Sequence, residues 1–256
     1  MEGTHVQLCG RLVVELRGAR VEQRLPSRQG RILFAYLALQ RPRTVGRDEL
    51  IDAIWAGAAP AEHARALTVL LSKLRAVLGP DVLVGRGGVR LELPAGARVD
   101  AEQAVLAAHR AESAVVREDW VRAWNASLCA QNIAARPLLP EASDLVWLDE
   151  WRRRLDDVLD RSLEAYAAAC LALGGTELGG AERAARRLVQ RNPLSETGYG
   201  LLMRAVAARG RVAEALGVYE QARTVLRDEL GIPPGAAIAR LHAELLADRE
   251  LSAERR

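Results

Sequence analysis

The sequence predicts a mainly α protein, in which a small α+β domain is followed by an all-α domain. Alternating apolar residues, which are typical of strands, are confined to the first hundred of the 256 residues. A glycine-rich hairpin pattern lies in the same part of the chain, directly after an amphipathic helix. From residue 100 to residue 250 only helical periodicities occur. We therefore expect domains at 1–98 and 99–250, followed by a tail at 251–256.

The α+β domain is expected to begin with strands and to continue with two helices. Val6 to Leu16 alternates between apolar and other residues, which predicts a half-buried strand, and Val21 to Leu25 indicates a return strand. The next apolar face predicts a helix that Pro42 ends, because proline cannot continue a helix. A second helix is expected from about Gly46 to Trp55.

A third helix, Arg65 to Leu78, is the element around which the domain is organised. Its apolar residues recur at helical spacing and share one face. They are Leu67, Leu70, Leu71, Leu74, Val77 and Leu78. The opposite side is small in its middle and positive at its edges, and no acidic residue occurs between Glu62 and Asp81. Small side chains allow close approach to another surface, and cations beside them suit phosphates and guanine edges.

A short hairpin follows this helix at Val82 to Leu93. Two apolar, β-branched runs are separated by glycines, and Gly87-Gly88 is expected to supply the positive φ angles of a tight turn. A helix suited to the major groove, followed at once by a basic-tipped hairpin, is the plan of a winged helix-turn-helix domain. On these features alone, the alternative is an ordinary surface helix and hairpin of an enzyme.

The candidate DNA contacts lie on the outward face of the third helix and beside the hairpin turn. They are Arg65, Thr68, Val69, Ser72, Lys73, Arg75, Arg86 and Arg90. Lys73 is the only lysine of the chain. We expect Lys73 and Arg65 to lie nearest to bases or phosphates, and Arg86 or Arg90 to reach the adjacent minor groove.

The all-α region is expected to contain a helix marked by Trp120, Trp124 and Leu128, which the prolines at 137 and 140 end, then one long helix and four shorter ones. Apolar and aromatic residues at helical spacing predict the long helix between Leu145 and Cys170, with an end at Gly174-Gly175. The shorter helices are expected near 179–191, 195–209, 211–229 and 235–249. Two of them begin with an Ala-Glu pair, 32 residues apart, which is close to the tetratricopeptide period of about 34. We expect stacked helix pairs with a continuous core, and a plain helical bundle is the alternative.

Charge and composition limit the classes of function. Residues 1–99 contain 15 Lys and Arg against 9 Asp and Glu, whereas residues 100–256 contain 21 against 24. We therefore expect only the front part to meet a polyanion. The three scattered cysteines suit a reducing cytoplasm, and no apolar run is long enough for a membrane span. Nucleotide-binding, metal-binding and catalytic motifs are missing, so we expect no enzyme activity, cofactor or metal.

The first hundred residues resemble the winged-helix output domain of OmpR/PhoB-type regulators. The resemblance rests on D-E-L-I-D-A-I-W (48–55), L-T-V-L-L-S-K-L-R-A-V-L (67–78) and G-G-V-R-L (87–91). Val89 departs from the family, which usually has an aromatic residue after the glycines. The resemblance implies that the loop before the recognition helix meets RNA polymerase. In this chain that loop consists of Ala56, Gly57, Ala58, Ala59, Pro60, Ala61 and Glu62.

The remainder resembles the bacterial transcriptional activator domain. The matching residues are R-P-L-L-P-E (136–141), W-L-D-E-W-R-R-R-L (147–155), N-P-L-S-E (192–196), L-L-M-R-A (201–205) and D-E-L-G-I-P-P-G (228–235). A winged helix followed by this domain is the layout of the Streptomyces antibiotic regulatory protein family. The resemblance implies an activator that binds double-stranded DNA at promoter direct repeats, self-associates there as a side-by-side pair and recruits RNA polymerase holoenzyme. It also implies a target gene cluster for a secondary metabolite such as an antibiotic.

Two other functions are compatible with the sequence. The helical domain could sense a small-molecule effector and gate DNA binding, with Trp120, Trp124, Trp147 and Trp151 lining a pocket. At their spacings these tryptophans also fit core positions, which is the simpler interpretation. The chain could instead be an interaction scaffold that no longer binds DNA, although the basic front part and the acid-free recognition helix argue against this.

Overall fold

The computed structural model describes residues 3–55, 62–142 and 144–254, without the side chains of 248–254. The chain forms two compact units. The first contains the described residues up to 105 together with 132–156, and the second contains 106–131 together with those from 157 onward. This division differs from the expected domain boundary at 98/99, which stays a prediction.

The first unit begins with short strands, three helices and a hairpin. In chain order these elements are β1 (His5–Gln7), β2 (Val13–Leu16), β3 (Ala19–Arg20), α1 (Ser27–Leu39), β4 (Val45–Gly46), α2 (Arg47–Trp55), α3 (His63–Leu78), β5 (Leu83–Val84), β6 (Gly88–Leu91) and β7 (Arg98–Val99). This order confirms the predicted winged helix-turn-helix. The three helices contact one another in every pairing and so form a compact helical layer.

The strands of the first sheet lie in the order β3-β2-β1-β7. β1 and β2 are antiparallel, with Val6 opposite Val14. β7 comes from the far end of the domain and pairs in parallel with β1, which places Val99 beside Val6. These valines are fully buried, so the sheet ties the two ends of the domain together through apolar contact.

The prediction of a return strand at Val21–Leu25 is wrong. The return strand is β3, which ends before Val21, and Glu22–Arg24 form a 3-10 turn instead. The turn brings the buried Glu22 carboxylate back to β2, where Oε2 accepts a hydrogen bond from the Val14 N–H at 3.3 Å. A buried carboxylate requires such a partner, so this bond favours the turn over an extended strand.

The hairpin of β5 and β6 lies where the sequence predicts it, and β4 extends it to a three-stranded sheet in the order β4-β6-β5. The expectation that Gly87-Gly88 supplies the positive φ angles is wrong. Gly85 has φ of +97°, whereas Gly88 is a strand residue opposite Gly46. A Cβ atom on Gly85 would lie 2.1 Å from the Gly88 carbonyl oxygen, so the turn requires glycine at position 85.

Asp100 connects the start of the helical region to the first sheet. Its side chain is 3% exposed, and its carboxylate accepts hydrogen bonds from the backbone N–H groups of Leu8 at 2.8 Å and Cys9 at 3.0 Å. The same carboxylate accepts the Ala101 N–H. Three backbone donors are thereby satisfied in the interior, which explains why a buried acid is tolerated there.

The helices that follow residue 99 agree with the predicted helical region. They are α4 (Asp100–Val116), α5 (Trp120–Ala134), α6 (Trp147–Leu173), α7 (Leu178–Arg191), α8 (Glu196–Ala208), α9 (Val212–Leu230) and α10 (Ala236–Glu254). α6 is the predicted long helix, and the last four match the predicted shorter helices to within a few residues at each described end. Within the described part of the chain, no helix combines the length and the apolar character that a membrane crossing needs.

Helices α7 to α10 pack in succession, each against the next, which confirms the tetratricopeptide-like fold. Small residues allow the close contacts: a Cβ atom on Gly198 would lie 3.3 Å from the Leu188 side chain. A charge cluster adds to the packing. The buried Glu182 carboxylate forms ion pairs with Arg186 at 2.9 Å and with Arg209 and Arg211. These three guanidinium groups offset the burial of the charge.

Candidate nucleic-acid interface

Helix α3 presents an exposed face on the first unit. The leucines of its other face are buried, and this fixes the rotation of the helix about its axis. The exposed residues include the predicted contacts Arg65, Thr68, Val69, Ser72 and Lys73. The remaining predicted contact on this helix, Arg75, is half-buried. The structure therefore brings five of the six predicted α3 contacts to the surface, and the sixth lies at its edge.

Lys73 and Arg65 are the cations of this face that a polyanion can reach directly. Lys73 is exposed and forms no ion pair with the described residues. Arg65 lies 3.4 Å from Glu62, measured from Nη1 to Oε2, but the two side chains are 80% and 75% exposed. A pair so exposed contributes little free energy, so Arg65 can exchange it for a phosphate.

Arg47 also belongs to this surface, although the sequence analysis did not select it. It is the first residue of α2, and its Nη2 donates hydrogen bonds to the Thr68 hydroxyl at 2.6 Å and to the Ala64 carbonyl at 3.1 Å. The Thr68 hydroxyl in turn donates to the Ala64 carbonyl at 2.8 Å. Arg47 thus joins α2 to α3 and adds a half-buried positive charge beside the exposed face of α3. The only sequence signal was a basic residue at a helix start.

Between the cations, the centre of the face is small and partly apolar. Val69 is 48% exposed, and exposed Ser72 lies one turn further along the helix. An exposed methyl-bearing side chain suits the methyl group of thymine, and a serine hydroxyl can hydrogen-bond to any base edge. The centre can therefore approach a groove closely while the cations at the edge bind the backbone.

Arg75 connects α3 to the hairpin. Its Nε donates a hydrogen bond to the Leu83 carbonyl at 3.2 Å, and its Nη2 donates to the Gly85 carbonyl. Both acceptors lie in or next to β5, at the start of the hairpin turn. In this structure the guanidinium group therefore holds the hairpin against α3, with fewer donors left for a ligand.

The two hairpin arginines differ in their surroundings. Arg86 lies at the tip of the hairpin, is exposed, and has no hydrogen-bond or ion-pair partner among the described residues. Arg90 is a β6 residue that forms an ion pair with Glu92. Of the two, Arg86 is the group that a phosphate can reach without breaking an existing contact.

The predicted polymerase-contact loop falls mostly outside the described residues. Positions 56–61 are not described, and Glu62 is the exposed N-cap residue of α3, whose carboxylate lies beside Arg65. Its side chain forms no capping hydrogen bond. The role proposed for this loop therefore stays a prediction.

The junction of α1 and α2 is stabilised by a polar cluster. The Tyr36 hydroxyl and the Arg43 guanidinium both donate hydrogen bonds to the Glu49 carboxylate. Arg43 and Tyr36 together hold the pKa of Glu49 below its usual value. Trp147, at the start of α6, stacks edge-on against Tyr36 with ring centroids 4.9 Å apart, and its Nε1 donates to the Ala53 carbonyl at 2.9 Å. These contacts fix α1 and α2, the two helices against which α3 packs, to each other.

The four tryptophans named for an effector pocket belong to different units. Trp120 and Trp124 are in the second unit, where they pack against a cluster of alanines, and the Trp124 Nε1 donates to Glu177 at 3.0 Å. Trp147 and Trp151 are in the first unit. Each pair is half-buried within its own unit, as packing residues are. The effector itself stays a prediction.

Comparison with known proteins gives the family. Residues 99–246 match the bacterial transcriptional activator domain. The chain is 32% identical over 238 residues to the regulatory protein AfsR of Streptomyces griseus, a match that covers 88% of this chain and 23% of AfsR. It is 31% identical over 247 residues to the transcriptional regulator RedD of Streptomyces coelicolor, which covers 85% of this chain and 63% of RedD.

A solved structure agrees with the fold. Mycobacterium tuberculosis EmbR, in complex with a low affinity phosphopeptide, superposes with a TM-score of 0.81 at 24% identity, over 96% of this chain and 65% of that chain. At this identity the likeness supports the fold alone. The domain match covers more than half of the chain, and the regulatory protein AfsR and the transcriptional regulator RedD each align with 85% or more of it. The chain therefore belongs to the Streptomyces antibiotic regulatory protein family of transcriptional regulators and carries its bacterial transcriptional activator domain.

Proposed function

We propose that the protein is a cytoplasmic, sequence-specific DNA-binding transcriptional activator. Helix α3 would enter the major groove, and the tip of the β5–β6 hairpin would reach the adjacent minor groove. The observation that carries the proposal is the exposed face of α3, on which Lys73 has no ion pair among the described residues and stands beside small side chains. A helix with such a face can approach base edges while its cations bind phosphates.

The roles of the individual contacts follow from their surroundings. Lys73 and Arg65 are assigned to bases or phosphates, and Val69 is assigned to a thymine methyl group. Arg47 is assigned to a phosphate at the edge of the groove, since its guanidinium already holds the Thr68 hydroxyl. Arg86 is assigned to the minor groove, where an unpaired arginine is favoured by the negative potential.

The finer function rests on the family. We assign promoter direct repeats as the target, bound by a side-by-side pair of copies, with recruitment of RNA polymerase as the result. A gene cluster for a secondary metabolite such as an antibiotic is the proposed target. AfsR and RedD, both regulators from Streptomyces, support this assignment.

The experiment is a genome-wide footprint of the purified protein, with Lys73→Ala as the test variant. Arg240→Ala is the matched control, because it removes one exposed positive charge from α10 in the second unit. Lys73→Ala should weaken specific binding by about 1–3 kcal/mol if the ammonium group reads a base. If the group binds only phosphate, binding should weaken on all sequences, and the salt slope should fall by about 1.

The outcomes separate the proposal from its rivals. Protected direct repeats upstream of promoters, lost in Lys73→Ala but kept in Arg240→Ala, would support the activator. Equal, diffuse and salt-sensitive binding by all three proteins would contradict the assigned face. Specific binding that depends on an added metabolite would favour the small-molecule sensor, and absence of any binding would favour the interaction scaffold.

A further inference from the structure

A groove lies between α4 and α5 in the second unit, and the proposed DNA interface does not use it. Its volume is about 480 Å³. Its lining includes three small residues, Ser113 and Ala114 from α4 and Ala126 from α5, which we call the floor. Ala114 packs on the buried Ala123, which brings the two helices close together below the groove. Leu106 borders the groove with 45% of its surface exposed, so an occupant would meet apolar surface as well as charge.

The rim of the groove is positively charged. Arg110, Arg117 and Arg122 line it, against a single carboxylate, Asp119. Asp119 is already bound to Arg122, with Oδ2 at 3.2 Å from Nε. Arg110 and Arg117 are exposed and have no ion pair with the described residues. Residues 100–256 as a whole contain more acidic than basic residues, so this concentration of arginine is a local feature.

The two walls of the groove are held in place by bonds within the protein. Arg161 of α6 binds Glu112 of α4 through its Nε, at 2.5 Å from Oε1. At the start of α5, the Asp119 N–H donates a hydrogen bond to the Ala114 carbonyl of α4 at 2.9 Å. These bonds fix both helices independently of any occupant. Binding to a preformed groove costs less conformational entropy than binding to a mobile surface does.

We propose that this groove docks an acidic amphipathic helix of a partner protein. The apolar side of that helix would lie on the floor, and its carboxylates would bind Arg110 and Arg117. The residues of α4 that line the groove extend from Leu106 to Ala114, about 12 Å at the rise of an α-helix, which corresponds to about two helical turns, and Arg117 follows in the turn after α4. Helix-in-groove docking of this kind uses an apolar stripe for affinity and rim charges for selection.

Charge complementarity alone would also allow a nucleic acid, but the details favour a helix. Leu106, Ala114 and Ala126 give the groove an apolar surface that a phosphate backbone would not use, whereas His109 and Asn125 are the neutral polar residues of the lining. A helix can place leucines on the floor and keep its carboxylates at the arginine side. This inference is independent of the proposed DNA binding.

The test uses the full chain and a fluorescein-labelled peptide of about 16 residues, which carries leucine and glutamate at helical spacing. A second peptide has lysine in place of each glutamate. The groove charge variant combines Arg110→Glu and Arg117→Glu, and a second variant carries Ser113→Trp alone. The matched control combines Arg187→Glu and Arg240→Glu. The control makes the same charge change at exposed helical sites of the second unit that do not line the groove. Fluorescence anisotropy at about 0.1 M salt measures the dissociation constants.

The acidic peptide should bind, and the lysine peptide should not. The groove charge variant should weaken binding about tenfold or more, while the control pair changes it less than about twofold. Ser113→Trp should also weaken binding, because indole fills the floor at an exposed position that the fold tolerates. Absence of binding, equal loss in the control, or full binding by Ser113→Trp would overturn the proposal. So would a selective loss of DNA affinity in the groove charge variant, which would assign the groove to nucleic acid.

Discussion

Arg75 is the residue at which a DNA contact and a structural role can be separated by experiment. The outward face of α3 predicts a DNA contact, but the guanidinium group is bound to the Leu83 and Gly85 carbonyls. Arg75→Ala removes both hydrogen bonds. Arg75→Lys keeps the charge but loses the two-pronged donor geometry. We expect both variants to loosen the hairpin, whereas a simple phosphate contact would largely survive the change to lysine.

The expected loss follows from the two bonds. A hydrogen bond to a charged group contributes about 1.5–3 kcal/mol when both partners are shielded. Arg75 is half-buried, and water can reach the Gly85 carbonyl once the side chain is removed. We therefore expect Arg75→Ala to lower the free energy of unfolding by about 1–2 kcal/mol in total. For a chain of this size that corresponds to a decrease in Tm of about 2–8 °C.

The assay is thermal unfolding without DNA, together with hydrogen exchange of the β5 and β6 amides. Arg65→Ala is the control, since Arg65 is 80% exposed and its removal should change stability by less than about 0.5 kcal/mol. The exchange of the hairpin amides should rise in Arg75→Ala and stay unchanged in the control. If stability and exchange are unaffected while the salt slope of DNA binding falls by about 1, Arg75 is a phosphate contact and the reasoning is refuted.

Two further sets of substitutions, at Glu49 and in the hairpin turn, test the contacts that position the proposed interface. Glu49→Gln should destabilise the protein at pH 7 and flatten its loss of stability in acid. Because Arg43 holds the folded-state pKa of Glu49 below the ordinary 4.5, the stabilisation is present above that pH and is lost as the pH falls through the lowered pKa. Urea unfolding at neutral and acid pH measures the free energy of unfolding of both proteins. A difference between them that is the same at both pH values would contradict the prediction. Gly85→Ala should cost about 2 kcal/mol or more, because φ is +97° and a Cβ atom would clash with the Gly88 carbonyl. Gly87→Ala, where a Cβ meets nothing within 4 Å, should cost less than about 0.5 kcal/mol by thermal unfolding, and equal losses would refute the turn assignment.

The helices could be predicted because their signal is local. The leucines of α3 occupy one face by spacing alone, and five of the six predicted apolar residues are buried, with Val77 half-buried. The end of α6 could be predicted as well, since Gly174 and Gly175 both adopt positive φ. Such patterns depend on residues a few positions apart, so a single sequence contains them.

The short strands could not be predicted, because their partners are distant in the chain. β4 and β7 have two residues each, which is too short for an alternating pattern. β7 exists because Val99 pairs beside Val6, and β4 exists because Val45 pairs opposite Val89. The error at the hairpin turn has the same origin. Three glycines occupy positions 85, 87 and 88, and only the strand pairing decides which of them adopts a positive φ.

The candidate site shows the same division between local and tertiary information. The exposed positions of α3 follow from its buried face, so the surface that carries Lys73 could be predicted from periodicity. The position of Arg47 over Thr68 depends on the angle between α2 and α3, which no residue spacing specifies. The contacts of Arg75 likewise depend on where the hairpin returns. A helical wheel identifies which residues face outward, but it does not identify which of them are already bound.

The two arginine contacts also determine how the proposed interface would respond to change. Arg47 joins α2 to α3, and Arg75 joins α3 to the hairpin. The exposed face of α3 and the hairpin tip are therefore positioned by one connected set of bonds. If α3 and Arg86 bind DNA together, loss of the Arg75 bonds would displace the Arg86 contact although Arg86 itself is unchanged. A double-mutant cycle of Arg75→Ala and Arg86→Ala should then give a combined loss of DNA affinity smaller than the sum of the single losses, since both variants remove the same contact. Strict additivity would mean that the hairpin binds DNA independently of the Arg75 hydrogen bonds.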